Sequence, residues 1–156
     1  MLLQRVVEEF VKRRIRYAIA GGYAVALHGA VRATVDIDLL VPLEEKTLVA
    51  VEQLLNSLGL VSRLPVSAVE IATFRNEYVQ KRNLKAWTFV NPSLPIEIVD
   101  ILMLHDLREF KTTAMATGFG RIMVLAIDDL IRMKQEAGRP QDLADVAALM
   151  KLNRGE

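Results

Sequence analysis

The chain has 156 residues, with 20 Lys+Arg against 19 Asp+Glu and a formal net charge of +1. That length fits a single domain over residues 1–156, able to bury roughly two thirds of its unfolded surface. With 52% hydrophobic residues disorder is excluded, and the absence of cysteine excludes disulfide scaffolds, thiolate zinc sites and cysteine nucleophiles.

The even charge balance argues against a general polyanion-coating protein. The apolar surplus points to a subunit interface, for which a homodimer is the simple form. The longest apolar stretch, Ala18 to Leu27, contains two glycines and is far shorter than the roughly 20 residues of a membrane span. No export pattern opens the chain, so the cytoplasm is the expected location.

Leu2, Leu3, Val6, Val7, Phe10 and Val11 recur at helical spacing and predict a helix over 2–14. Tyr17 to Ala20 reads as a short buried strand broken by Gly21-Gly22. Tyr23 to His28 reads as a short helix closed by Gly29. Ala33 to Val41 is a second strand, ended by Pro42. Leu48, Val51, Leu54, Leu55 and Leu58 mark a helix over about 44–58. Short strands are expected around Ile71 to Phe74. Trp87 to Val90 and Ile96 to Leu102 form a strand pair across Asn91 to Pro95. His105 to Thr112 is a short helix and Arg121 to Ala126 a strand. Asp128 caps a helix ending at Gly138, and Pro140 opens a last helix to about Leu152. Such a mixture implies an α+β (α/β-like) fold: a mixed central sheet with helices mainly on one face.

The chemistry concentrates in Gly21-Gly22-Tyr-Ala-Val-Ala-Leu-His28-Gly, followed by Arg32-Ala-Thr34-Val-Asp36-Ile-Asp38-Leu. In one extended strand Thr34, Asp36 and Asp38 share a face, while Val35, Ile37 and Leu39 face the core. Two carboxylates on one half-buried face repel, and burial penalises each charge. A shared proton, an arginine from elsewhere or a divalent metal relieves this; an all-oxygen ligand set favours Mg²⁺ or Mn²⁺. Asp100, flanked by Val99 and Ile101, is a third carboxylate within an apolar strand. Beside the Asp36 strand it completes a cluster of the kind that holds two metals. A strand, a glycine turn and a helix start make a phosphate site. Lys12, Arg13, Arg14, Arg16 and Arg32 surround that turn with no acid between Val11 and Val35.

Gly-Gly, a short helix, Asp-x-Asp and a later strand Asp together resemble the DNA polymerase beta-type nucleotidyltransferase superfamily. The wording of residues 21–39 is similar to its small prokaryotic members, the AbiEii-type toxin and lincosamide-type nucleotidyltransferases. Residues 128–149, with Lys134, Arg139, Asp142 and Asp145, resemble the tail of that group. Polymerases usually carry Gly-Ser where this chain has Gly21-Gly22. The resemblance implies transfer of NMP from an NTP such as ATP to a hydroxyl of tRNA or other RNA, of protein or of a small molecule. It implies metal held by Asp36, Asp38 and Asp100, with Asp100 on the nucleophile side and able to take the acceptor proton. Gly21 and Gly22 would hold the β- and γ-phosphates. Arg32, Lys134 and Arg139 are candidate nucleotide contacts. A toxin within the family implies an antitoxin partner. A non-catalytic nucleotide-binding or partner-binding module on the same fold is the competing expectation.

Several residues read more plainly. Thr34 packs beside the carboxylates, His28 closes its helix, and His105 lies in a loop. Glu97 has the opposite face parity to Asp100 and is expected to face solvent. Lys81, Arg82 and Lys85 with Trp87 form a weak nucleic-acid patch.

Overall fold

The computed structural model describes residues 1–155. The first half holds α1 (Leu2–Lys12), β1 (Ala18–Ala20), α2 (Gly21–Leu27), β2 (Ile37–Leu40), α3 (Glu45–Ser57) and β3 (Val61–Ser62). The second holds α4 (Ala68–Thr73), α5 (Arg75–Lys81), β4 (Ala86–Asn91), β5 (Leu94–Leu102), β6 (Thr112–Thr117), β7 (Gly120–Leu125), α6 (Ile127–Ala137) and α7 (Pro140–Asn153). The strands form one sheet in the order β3-β4-β5-β2-β1-β7-β6. It is mixed, because β2 runs parallel to β5 and β1 parallel to β7, while the other neighbours are antiparallel. The fold is therefore α+β, as expected.

Register explains why one sheet face is greasy and the other acidic. Ile19 pairs with Leu39, Leu39 with Ile101 and Ile101 with Trp87, so these residues share a face. All four are fully buried. Tyr17 shares that face by alternation and meets the Phe10 ring at 5.3 Å, so α1 covers it, and α3 packs beside α1. The next row, on the other face, runs Ala20, Asp38, Asp100, Thr88. Helices α6 and α7 pack on each other beside this second face.

Several expectations change. The strand expected over Ala33 to Val41 is only Ile37–Leu40, so Thr34 and Asp36 lie in the preceding loop. Val35, expected in the core, is 52% exposed, since nothing in a free loop turns it inward. Ile71 to Thr73 is helical, not extended, and Phe74 is the turn that follows. Ser67 caps α4 by accepting from the Glu70 N–H at 3.2 Å, a Ser-x-x-Glu signal that overrides the local strand propensity. His105 to Thr112 holds only a single 3₁₀ turn at Leu107–Glu109, pinned by Asp106 accepting from Arg108 N–H at 3.0 Å. Edge strand β6 shows no apolar run in the sequence because, apart from Met115, its residues are small or hydroxylated. Asp128 does not cap α6. Ala126 holds the cap position, and Asp128 instead accepts from Asn153 Nδ2 at 3.0 Å. Gly138 does end that helix, in the left-handed conformation at φ 64°.

Glu97 is not solvent-facing. Its side chain is 13% exposed, and it accepts from Arg5 at 2.5 Å and from Asn91 at 2.8 Å, linking the sheet to α1. Trp87 is fully buried, with its indole N–H donated to Ser62 Oγ at 2.8 Å. Trp87 therefore offers the basic run at 81–85 no stacking surface, and the ring beside that run is Tyr78, under Arg82 at 5.3 Å. Among the described residues no helix is long and apolar enough to cross a membrane.

Candidate active site

Beta strand β1 ends at Ala20, and the chain turns at once into α2 through Gly21, whose φ is +61°. A side chain there would be strained by that φ, and a Cβ on Gly21 would collide with Asp38 Oδ2. A Cβ on Gly22 would stand 2.7 Å from Thr34 Oγ1. The double glycine thus lets the backbone itself lie directly against Asp38 and Thr34. It forms one wall of an open cleft of about 820 Å³. All eight expected site residues line this cleft: Asp36, Asp38 and Asp100, Gly21 and Gly22, and Arg32, Lys134 and Arg139.

Asp38 and Asp100 are cross-strand partners, so the two carboxyl groups stand side by side on one face. The Asp38 carboxyl is pushed up from 3.8 to about 7, first by burial, then by the charges of Asp100 and Asp36. Lys134 pulls the other way without overcoming them. Thr88 donates its hydroxyl to Asp100 Oδ1 at 2.5 Å, which fixes that carboxylate. Asp36 acts on Asp38 through its charge from the loop before β2. Among the described residues, however, no group of three acids or histidines is already set to hold a metal ion. The donor set still fits a divalent cation: hard oxygens, mutual repulsion, and one carboxyl pushed up to about 7 by burial and its acidic neighbours.

The three expected nucleotide contacts look different. Lys134 is buried, 3.3 Å from Asp142 Oδ1 and 3.0 Å from Asp145 Oδ2. Arg139 grips Asp142 with its side chain at 2.7 Å and its backbone N–H at 3.1 Å. Arg32 donates from Nε to Asp145 Oδ1 at 3.1 Å. Asp142 and Asp145 are fully covered. Burial opposes ionisation of Asp142, but Arg139 and Lys134 outweigh it and hold the carboxyl below its ordinary value. These cations thus line the cleft together with the Gly21-Gly22 turn, their charges already matched.

Sequence reasoning did not single out Thr88, whose role depends on register. Lys85 and the His105–Glu136 pair, 3.7 Å apart, also line the cleft. His28 does follow α2, and its ring Nε2 stands 2.8 Å from the Leu125 carbonyl, tying the helix to β7.

Comparison with known proteins agrees with this geometry. No curated protein sequence matches the chain. Several solved structures share its fold. The lincomycin-bound lincosamide antibiotic adenylyltransferase LnuA is 13% identical with a TM-score of 0.64, covering 97% of this chain and 96% of that one. The antibiotic-resistance factor ANT(2'')-Ia in solution is 14% identical with a TM-score of 0.62, over 95% of this chain and 80% of that one. A nucleotidyltransferase fold from Thermotoga maritima (TM1012) is 15% identical with a TM-score of 0.60, over 99% and 92%. The family model for aminoglycoside-2''-adenylyltransferase matches residues 2–85, which carry Gly21-Gly22, Asp36 and Asp38 and end before Asp100. The chain belongs to the aminoglycoside-2''-adenylyltransferase family of nucleotidyltransferases.

Proposed function

We propose that this nucleotidyltransferase moves NMP from an NTP to a hydroxyl group of a small molecule, with Asp36, Asp38 and Asp100 holding divalent cations. The observation that carries the reading is the Asp38–Asp100 pair set against the Gly21-Gly22 turn. An acidic pair this short of counter-charge, beside backbone that admits a phosphate, suits a metal-bound triphosphate. When bound, Mg²⁺ or Mn²⁺ neutralises these carboxylates and polarises the α-phosphate.

The chain's own residues then divide the work. Gly21 and Gly22 present N–H groups to the β- and γ-phosphates. Asp100, held by Thr88, faces the incoming hydroxyl and accepts its proton as the oxygen–phosphorus bond forms and pyrophosphate leaves. Arg32 and Arg139 border the phosphate path, and Arg139 stays 75% exposed there while its guanidinium holds Asp142. A small acceptor agrees with a cleft of about 820 Å³, within the usual range of small-ligand sites. An RNA acceptor has less support, because the one tryptophan is core.

Transfer of label from α-³²P NTP in the presence of Mg²⁺ tests this. Wild type should release pyrophosphate and label an acceptor, and Asp38→Asn and Asp100→Asn should not. Label transfer that survives both substitutions or a chelator would refute the metal assignment.

A further inference from the structure

We infer that the acceptor is an uncharged or weakly charged hydroxyl compound with an apolar body, not a polycation. This rests on the nucleotidyl-transfer reading above and adds the substrate class. In-line displacement puts the attacking hydroxyl opposite the leaving pyrophosphate. The phosphate wall is the Gly21-Gly22 turn, so the acceptor must approach along the sheet from beyond Asp100.

That half of the cleft is mostly apolar. Leu102 follows Asp100 on the same face of β5, and Ala86 is its partner on β4. Leu104, 47% exposed, extends this floor, and Met133 and Ala137 of α6 face it across the cleft.

Its charges do not suit a ligand with several ammonium groups. Each such group must find a carboxylate once it loses water. Five acids line the whole cleft among the described residues. Asp36, Asp38 and Asp100 belong to the reaction centre, and Asp142 is held by Lys134 and Arg139. Glu136 alone is left, and it already faces His105 at 3.7 Å. On the same half Lys85 has no carboxylate within ion-pair distance among the described residues, whereas Arg32, Lys134 and Arg139 all do. The acceptor half therefore presents one unmatched positive charge over an apolar floor. A polycation meets repulsion there and gains no partner.

The test compares three acceptors with Mg²⁺ and NTP: tobramycin as a polycation, lincomycin with one amine and an apolar arm, and chloramphenicol as a neutral diol. Pyrophosphate release should give kcat/KM for lincomycin or chloramphenicol at least tenfold above that for tobramycin. Lys85→Glu should raise the ratio of tobramycin to chloramphenicol kcat/KM about tenfold. Equal or better use of tobramycin by wild type overturns the inference, as does a Lys85→Glu protein with an unchanged ratio. If no acceptor turns over, calorimetry on the protein loaded with Mg²⁺ and a non-hydrolysable NTP decides. Tighter binding of tobramycin, or binding of none of the three, also overturns it. Failure of that protein to bind the NTP at all is a different result, which removes the nucleotidyl-transfer reading itself.

Discussion

Two charged regions face each other across the cleft. On the sheet, Asp36, Asp38 and Asp100 crowd together with too little positive charge, and one carboxyl stays protonated until about pH 7. At the α6–α7 corner, Asp142 and Asp145 are more deeply buried, yet Lys134, Arg139, Arg32 and Gln141 surround them. Burial penalises both groups of acids; what differs is whether the chain supplies its own counter-charges. Where it does, the cluster is a structural joint between the last two helices and the loop before β2. Where it does not, folding leaves the carboxylates short of counter-charge, which is why the proposed reaction is placed on that half.

Removing Asp38 probes the uncompensated side most severely. Asp38→Asn should lower kcat by roughly a thousandfold, because it removes both a ligand and its charge. Metal-free stability should move the opposite way. The Asp38 carboxyl ionises above 3.8 in the unfolded chain and above about 7 in the folded one. Between those values the folded state holds a proton that the unfolded state has released, so stability falls as pH rises and stays low above 7. The expected loss by pH 8 is on the order of a few kcal/mol. Melting in a chelator should therefore be higher at pH 5.5 than at pH 8. Asp38→Asn should flatten that slope, and saturating Mg²⁺ at pH 8 should raise the wild-type midpoint. A chelated wild type that melts alike at both pH values contradicts the contrast.

The compensated side should answer in stability rather than in catalytic rate. Asp142→Ala strips Lys134 and Arg139 of a shared partner and leaves a buried ammonium against Asp145 alone. Breaking such a pair typically costs about 3–5 kcal/mol, which urea denaturation would show. The sign with pH is also reversed. Asp142 titrates below its ordinary value, so its contribution is present at neutrality and lost as acid protonates it. An Asp142→Ala protein of wild-type stability would mean that the corner is not a joint.

Gly21→Ala should come next in size. The added methyl meets Asp38 Oδ2 and demands a left-handed backbone from alanine. A loss of about 1–2 kcal/mol and a rise of more than tenfold in the KM for NTP are expected, the first from differential scanning calorimetry and the second from initial rates.

Much of this contrast was legible in residue order, and its limits have physical causes. Alternation in residues 37–39 and 99–101 put Asp38 and Asp100 opposite their apolar neighbours, since side-chain period is a local property. Gly21-Gly22 was readable for the same reason. Asp36 reached the right cleft by a different route, through a loop whose path depends on tertiary contacts. The pairing of Arg32 with Asp145 spans the chain and has no local sign. In α7, Asp142 and Asp145 could be placed on one helix, but their burial follows from α6 packing above them.

Thr88 belongs to the acidic row alone, and it sharpens the comparison. A threonine between Trp87 and Phe89 in a strand is unremarkable by itself. Only the register that sets it opposite Asp100 gives its hydroxyl a task. It supplies the acidic row with a hydrogen-bond donor but no charge, so it orients Asp100 without relieving the shortage of counter-charge. Thr88→Val keeps shape and removes the donor. It should change stability by no more than about 1 kcal/mol, the net worth of one such bond. It should lower kcat about tenfold or less, with KM for NTP unchanged, because the phosphate wall is untouched. Thr88→Ser restores the donor and should recover most of the rate. A Thr88→Val protein at full rate would show that Asp100 is held by the strand alone. A change in KM instead of kcat would place Thr88 with the nucleotide rather than with the attacking hydroxyl.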